Sequence, residues 1–177
     1  EDAIESRLFM LDELESHVRV SPQIDQASFE TLAHTMLERD PGVRSLQLAR
    51  NSVISHIYPL THNKAALGHD LLNDEKRKAD VLLAFNSNTA TISGPLNLLQ
   101  GGLALIVRQP IHRKNYTSQI TENWGLSILA LDWDEVLQET DLLSLGNEQN
   151  IALRKRVGNT WEQAFWGNDE IFTDTEQ

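Results

Sequence analysis

Apolar residues at the start of the chain recur with helical spacing, and six acidic residues lie among them within the first 20 positions. This pattern predicts an amphipathic helix over residues 1–20 with a narrow apolar seam. The seam consists of Ile4, Leu8, Leu11 and Val18. Two interpretations are open, since the seam can pack on its own domain or pair with the seam of a second copy.

A second helix is predicted to begin at Ser21 and Pro22, because serine is a good N-cap and proline suits the first helical position. Asp40-Pro41-Gly42 ends this helix, since proline cannot continue a helix and glycine accepts positive φ. The buried face consists of Ile24, Phe29, Leu32, Met36 and Leu37.

Shorter apolar runs follow and are typical of strands. Residues 43–48 and 53–58 flank a polar turn and predict a hairpin, and residues 74–85 predict a helical connector. Further strands are predicted at 89–93, 103–109 and 125–131. Two helices followed by strands grouped around a connector predict an α+β domain, with an antiparallel five-stranded sheet and helices beside a hollow.

Three local features complete this outline. Gly94-Pro95 predicts a turn, and Pro110 predicts the end of a strand, with a polar loop after it. Asp132 is a good N-cap for a helix over residues 133–140.

The net charge of −11, from 15 lysines and arginines against 26 aspartates and glutamates, disfavours a nucleic-acid partner. The runs Lys76-Arg77-Lys78 and Arg154-Lys155-Arg156 are interpreted as solvated faces. The longest uncharged apolar run, residues 103–107, is far shorter than the roughly 20 residues of a membrane span.

Catalytic and metal-binding patterns are missing from the sequence. The chain has no cysteine, which excludes disulfides, thiolate catalysis and cysteine-based zinc sites. His62 and His69 are too far apart for a one-helix metal pair, and no nucleotide-binding or hydrolase motif occurs. The sequence therefore predicts no enzyme activity, no metal and no cofactor.

Several motifs occur in order between Tyr58 and Pro110. They are Tyr58-Pro59-Leu60, Leu67-Gly68-His69-Asp70-Leu71-Leu72, Ile92-Ser93-Gly94-Pro95-Leu96 and Pro110-Ile111. Trp124-Gly125 follows, leading to Asp132. Over roughly residues 20 to 140 this succession resembles the CHASE domain.

The resemblance implies the extracytoplasmic, periplasmic sensor region of an inner-membrane receptor, ahead of a histidine kinase or a cyclic-di-GMP enzyme such as a diguanylate cyclase. Residues 1–20 would form a stalk helix, and residues 21–132 a membrane-distal, PAS-like ligand-binding subdomain. Residues 133–177 would form a connecting helix and the start of a second, incomplete PAS-like subdomain near the membrane.

The resemblance also implies ligand-binding residues. Asp70 falls where plant members hold an adenine-type ligand through an acidic side chain, although it can instead cap the following turn. Ser93 either lines the pocket or braces Gly94-Pro95. Leu99 matches a family position that touches ligand, and Leu96 and Leu98 alternate with it. All three leucines can instead pack in the core.

Arg108 ends an otherwise apolar strand and matches a small polar pocket position of plant members. A buried guanidinium needs a carboxylate or phosphate partner. If Arg108 points inward, the ligand is an anion, or Asp70 pairs with Arg108 internally. If it points outward, it is a solvated edge residue.

Two functional hypotheses follow. In the first, a small molecule, anionic or adenine-like, binds the distal pocket, and the signal passes through stalk helices that form a homodimer. In the second, the chain is a dimerisation or protein-interaction module with a closed or vestigial pocket, and the apolar seam of the first helix carries its function.

Overall fold

The computed structural model describes residues 2–40, 42–98, 101–114, 120–140, 151–157 and 160–172. The chain divides into two compact units, residues 1–132 and residues 133–177.

The first unit combines helices with one sheet. Its helices are α1 (Asp2–Val20), α2 (Gln26–Leu37) and α3 (Glu75–Ser87), and a short 3-10 turn spans Lys64–Ala66. Its strands are β1 (Val43–Arg50), β2 (Val53–Tyr58), β3 (Thr91–Asn97), β4 (Leu103–Lys114) and β5 (Thr121–Asp132). The strand order is β2-β1-β5-β4-β3 and every pair is antiparallel. The predicted α+β class and five-stranded antiparallel sheet are confirmed.

Helix α1 packs on β4 and β5 of its own chain. Leu11 and Val18 are fully buried there, as is Leu14 between them. The first interpretation of the seam is therefore confirmed. Pairing of the same seam with a second copy is wrong for Leu11 and Val18, because a side chain buried within one protomer is not available to another. The side chain of Ile4 lies outside the described residues.

An ion pair joins α1 to the segment after α2. Arg7 donates from Nε and Nη2 to the two carboxylate oxygens of Asp40, at 2.7 and 2.9 Å. The hydrogen bonds from Arg7 lower the pKa of Asp40, although burial acts in the opposite direction. The pair therefore stabilises the fold above the ordinary carboxyl pKa, and this contribution is lost as the pH falls through the lowered value.

Helix α2 begins later than the sequence predicts. Asp25, not Ser21, is its N-cap, and the Asp25 side chain accepts a hydrogen bond from the amide of Ser28 at 2.8 Å. The carbonyl of Pro22 accepts a hydrogen bond from the indole of Trp124 at 3.3 Å, so the segment before α2 is tied to β5.

Two prolines lie inside strands, where the sequence predicts a turn and a strand end. Gly94-Pro95 is part of β3, at a break in the register between Ser93 and Leu96. Pro110 lies within β4 and pairs with Leu126 of β5. Pairing of β4 with β3 extends only to Arg108, so at Pro110 the strand has a neighbour on one side, and a residue without an N–H is tolerated.

The second unit contains α4 (Trp133–Glu139) and an antiparallel hairpin of β6 (Ala152–Val157) and β7 (Thr160–Gly167), followed by a 3-10 turn at Asp169–Phe172. The guanidinium of Arg154 lies 4.6 Å from the ring of Trp161 and 4.1 Å from that of Phe172. Across the described residues of both units, no helix combines the length and apolar character of a bilayer-spanning segment.

Candidate functional site

A small cavity of about 50 Å³ lies between the sheet and the segments that cover it. It is lined by Gln47, Ile54, Ala66, His69, Leu71, Arg77, Leu98, Ile106, Arg108 and Ile128. Since a water molecule needs about 10–15 Å³ on this scale, the space holds about four groups of water size. Five of these ten residues have branched apolar side chains, and four have polar side chains.

Arg108 points inward from the centre of the sheet. Register places it on one row with Ile128 of β5 and Gln47 of β1. Only 2% of Arg108 is exposed. Its Nη1 donates a hydrogen bond to Ser93 Oγ, but no described residue accepts a hydrogen bond from its Nε. A buried guanidinium therefore keeps a donor unused beside the cavity.

Arg108 carries its positive charge at neutral pH. Burial lowers its pKa to about 10; Asp80 acts against this shift and Arg77 adds to it. A pKa of about 10 leaves the guanidinium protonated at pH 7 while making its charged form less stable than in water. An anion in the cavity would relieve this penalty.

A second guanidinium, that of Arg77 on α3, also lines the cavity. Arg77 donates to the carbonyl of Asn97 at 2.6 Å, which fixes the guanidinium against the end of β3. No aspartate or glutamate occurs among the cavity-lining residues that the structure describes. Two guanidinium groups, Arg77 from α3 and Arg108 from the sheet, with no carboxylate among these lining residues, favour an anionic occupant.

His69 also faces the cavity, and its Nε2 lies 2.9 Å from Asp74 Oδ2. Asp74 is the N-cap of α3, where it accepts a hydrogen bond from the amide of Lys76 at 2.8 Å. Burial acts to raise the pKa of Asp74, but the hydrogen bonds from Lys76 and His69 outweigh burial and lower it. The Asp74 carboxylate is thus engaged by α3 and His69.

Gln47 supplies an uncharged polar group on the same face of the sheet as Arg108. The side chain is 5% exposed, and its Nε2 donates to Ser45 Oγ at 3.1 Å. One strand separates β1 from β4, so the Cα atoms of Gln47 and Arg108 lie about 10 Å apart. A ligand of a few atoms held at Arg108 therefore has a neutral amide near its other end.

Asp70 acts as a turn cap in the structure. Its Oδ1 accepts hydrogen bonds from the amides of Leu72 and Asn73, at 3.0 and 3.2 Å, and its Oδ2 accepts one from Asn73 Nδ2 at 2.6 Å. Asp70 is absent from the residues that line the cavity, and internal pairing with Arg108 is not observed. Asp70 therefore caps the turn that follows it. The acidic neighbour of Arg108 is Asp80 and not Asp70.

The other expected ligand contacts differ in outcome. Ser93 is buried and accepts the hydrogen bond from Arg108, so it supports the guanidinium. Leu96 is partly buried and packs against the core beside the cavity. Leu99 lies outside the described residues. Leu98, next to it in sequence, lines the cavity.

Sequence reasoning missed Gln47, Arg77 and Asp80 as members of this region. Gln47 lies between Leu46 and Leu48 in β1, and a polar residue between two buried leucines is a weak indication that it faces a pocket. Arg77 stands between two lysines, and the interpretation of that run as a solvated face is wrong for Arg77. Asp80 gave no distinct signal within a charged helix.

Two solved structures share this fold. An extracellular ligand-binding receptor from Desulfohalobium retbaense DSM5692 superimposes with a TM-score of 0.58 and 9% identity, over 78% of this chain and 24% of its own length. The E. coli DcuS sensor domain superimposes with a TM-score of 0.53 and 16% identity, over 77% of this chain and 93% of its own. The fold is thus the PAS-like fold of sensor domains, and the chain spans about a quarter of the first of these structures.

Sequence comparison identifies the family. Residues 49–164 match the CHASE domain, and the chain belongs to this family of extracellular sensor domains. It is accordingly a sensor domain and not an enzyme. No curated protein matches the sequence.

Proposed function

We propose that this domain detects a small carboxylate anion, in the size range of two to four carbon atoms, in the cavity at Arg108. The observation that carries the proposal is a guanidinium that is 2% exposed, protonated at neutral pH, and left with an unused Nε donor beside a cavity. A carboxylate matches the planar donors of arginine in shape and charge.

The size and walls of the cavity narrow the ligand class. Ile54, Ile106 and Ile128 offer an apolar surface for a short hydrocarbon portion, while Arg77 and Arg108 hold the carboxylate. An adenine-like ligand is disfavoured, because the space of about 50 Å³ is small for a purine and the Asp70 carboxylate is occupied by its turn. A vestigial pocket is disfavoured as well, since burial makes the charged form of Arg108 less stable even with Asp80 nearby, and an anionic ligand would offset this cost.

The wider setting is inferred from family membership. The full-length protein would be anchored in the inner membrane, with this domain in the periplasm and a histidine kinase or a cyclic-di-GMP enzyme on the other side. Ligand binding would favour one arrangement of α1 over another, and its effect is limited to the ligand's differential affinity for the two arrangements. Residues 133–177 would begin a second PAS-like subdomain next to the membrane.

Matched acids and amides test the ligand class. Thermal unfolding would be followed with acetate, propionate and butyrate, and with acetamide, propionamide and butyramide at the same ionic strength. We expect at least one acid to raise Tm by several degrees, because a ligand at a hundredfold excess over its Kd adds about 2.7 kcal/mol of stability. The amides have the same shape without the charge and should have no effect.

Either of two results would contradict the proposal. Equal stabilisation by an acid and its amide would mean that charge is not recognised, and no stabilisation by any of the acids would mean that the cavity does not bind this class.

We further propose that the domain forms a homodimer through the outer face of α1. Phe9 and Val20 are 70% and 86% exposed on this helix, although both are large and apolar. Phe9, Glu13, Ser16 and Val20 follow the spacing of a coiled-coil seam, distinct from the buried seam described above. The groove at this face also contains Arg39, so a two-fold partner can place its acidic residues against this cation.

Light scattering over a range of concentrations tests the dimer. Phe9→Ser together with Val20→Ser should weaken association at least tenfold, because the apolar contact is removed. Leu83→Ser on α3 is the matched control, since Leu83 is 56% exposed but lies away from this face. A monomer at every concentration, or equal association of the two variants, would refute the proposed interface.

A further inference from the structure

We propose that Gln109 is the positioning residue through which the cavity acts on the stalk helix α1. The role of Gln109 in signalling rests on the proposed function. The coupling between Arg108 and α1 through Gln109 can be tested without any ligand. It assigns a coupling role to one side chain next to Arg108.

Strand geometry puts Gln109 on the side of the sheet opposite the cavity. Successive side chains of a strand point to opposite faces, so Arg108 faces the cavity and Gln109 faces α1. The Gln109 amide donates from Nε2 to Asp12 Oδ1 at 2.8 Å and to Glu15 Oε2 at 2.9 Å. Residues three apart share one face of a helix, so a single amide group contacts two carboxylates of α1.

A second contact fixes how α1 lies along β4. Arg19 donates from Nε to the carbonyl of His112 at 3.0 Å, and the same nitrogen lies 3.2 Å from Glu15 Oε1. Glu15 is therefore shared between Gln109 and Arg19. A change in the position of Gln109 alters a connected set of charged groups, and this set includes the contact between the end of α1 and β4.

The pairing of β4 changes at this point in the sheet. Arg108 pairs with Thr91 of β3 and with Ile128 of β5, and it is the last residue of β4 paired to β3. From Gln109 onward, β4 is paired to β5 alone among the described strands. The segment that contacts α1 thus begins where β4 is less constrained, directly after the residue that faces the cavity.

These observations define a short path. A ligand that engages the guanidinium of Arg108 changes the position of that group, and the next residue of the same strand transmits the change to Asp12 and Glu15. Since both carboxylates belong to α1, movement of Gln109 displaces one face of this helix.

Hydrogen exchange of α1 amides in a double-variant cycle tests this path. Arg108→Met perturbs the cavity and would be compared in two backgrounds, one with Gln109 and one with Gln109→Leu. With Gln109 present, exchange in the second half of α1, relative to α2, should change about fivefold or more, within the range of measured allosteric couplings. With Leu at position 109 the same perturbation should change it less than about twofold.

Two further variants separate coupling from general stability. Gln109→Lys keeps a donor for both carboxylates and should retain the response. Gln26→Leu is the matched control, because Gln26 donates to the carbonyl of Ile57 and ties α2 to β2, away from Arg108. It should lower stability without removing the response of α1. If Arg108→Met does not fold, Ser93→Ala removes the hydrogen-bond partner of Arg108 and replaces it in the cycle.

An equal response of α1 with Gln and with Leu at position 109 would overturn the inference, as would loss of the response in Gln26→Leu. Because no ligand is added, a negative result in the acid screen leaves this outcome unaffected. If an acid stabilises the domain but α1 responds to Arg108→Met equally with Gln and with Leu at position 109, the proposed ligand class stands and Gln109 is rejected as the link to α1.

Discussion

Replacing Arg108 by methionine should weaken carboxylate binding at least thirtyfold while leaving the free domain folded. Removal of one partner from a buried charged contact costs about 2–5 kcal/mol of binding free energy. The free domain behaves differently, since it holds this guanidinium at 2% exposure with one donor unused. Uncharged residues that replace both members of a buried charge pair are often neutral or stabilising, whereas removing one member alone is destabilising, so Arg108→Met is combined with Asp80→Asn.

The lowered pKa of Arg108 gives the sign of its contribution to stability. The unfolded chain binds more protons than the folded one between a pH of about 10 and the ordinary arginine value, so stability rises with pH in that window. Below pH 10 the penalty for the buried charge is fully present. Methionine removes this penalty at neutral pH, and Asp80→Asn in the same chain removes the acidic neighbour that methionine would leave behind.

Urea unfolding and isothermal titration with the best acid of the screen would measure the two effects. Asp70→Ala is the matched control, because it removes three hydrogen bonds from a turn and should lower stability by about 1–2 kcal/mol. It should leave acid binding intact. Unchanged acid binding in Arg108→Met, or loss of binding in Asp70→Ala, would assign the anion to another position.

Gly125→Ala should destabilise the domain by at least about 3 kcal/mol, or prevent it from folding. Gly125 lies in β5 with φ of +149°, a region of backbone conformation that only glycine adopts readily. A Cβ at this position would lie 2.0 Å from the carbonyl oxygen of Ala49 and 3.1 Å from Arg50 Cα. Both are backbone atoms of the paired strand β1, so β1 and β5 would have to separate.

Gly68→Ala isolates the effect of backbone conformation from the clash. Gly68 has φ of +79°, but no atom lies within 4 Å of the Cβ that alanine would add. Its cost should be about 1–2 kcal/mol, the penalty for the left-handed region alone. Denaturant unfolding of the two variants measures the difference, and equal losses of stability would mean that the sheet accommodates the added methyl group.

The sequence predicts the fold well where apolar periodicity decides the structure. The seam of α1 and the five strands follow from spacing, because burial of one face is the dominant constraint on both. Glycine and proline residues were less informative as markers of turns and strand ends. Gly94-Pro95 and Pro110 lie inside strands, since a sheet tolerates proline wherever one side of the strand has no neighbour, and that property depends on tertiary pairing.

The candidate site is only partly predictable for a related reason. The inward direction of Arg108 could be proposed, because a cation at the end of an apolar strand is unusual. The role of Arg77 could not, because its direction depends on how α3 lies over the sheet. Asp70 illustrates a third case: a carboxylate that can cap a turn or contact a ligand has the same sequence in either role, and only the hydrogen bonds of the folded turn distinguish them.

The alternation of β4 has a consequence for how receptors of this kind diversify. Ile106 and Arg108 point to the face of β4 that lines the cavity. Gln109 points to the opposite face, where it contacts α1. Under the proposed function, substitutions at Ile106 and Arg108 would change the ligand that binds and leave the contact between Gln109 and α1 in place. A one-residue deletion before Arg108 would exchange the two faces, placing an amide in the cavity and a cation against the stalk. Under the proposed function, ligand recognition and contact with α1 therefore depend on different positions of one strand.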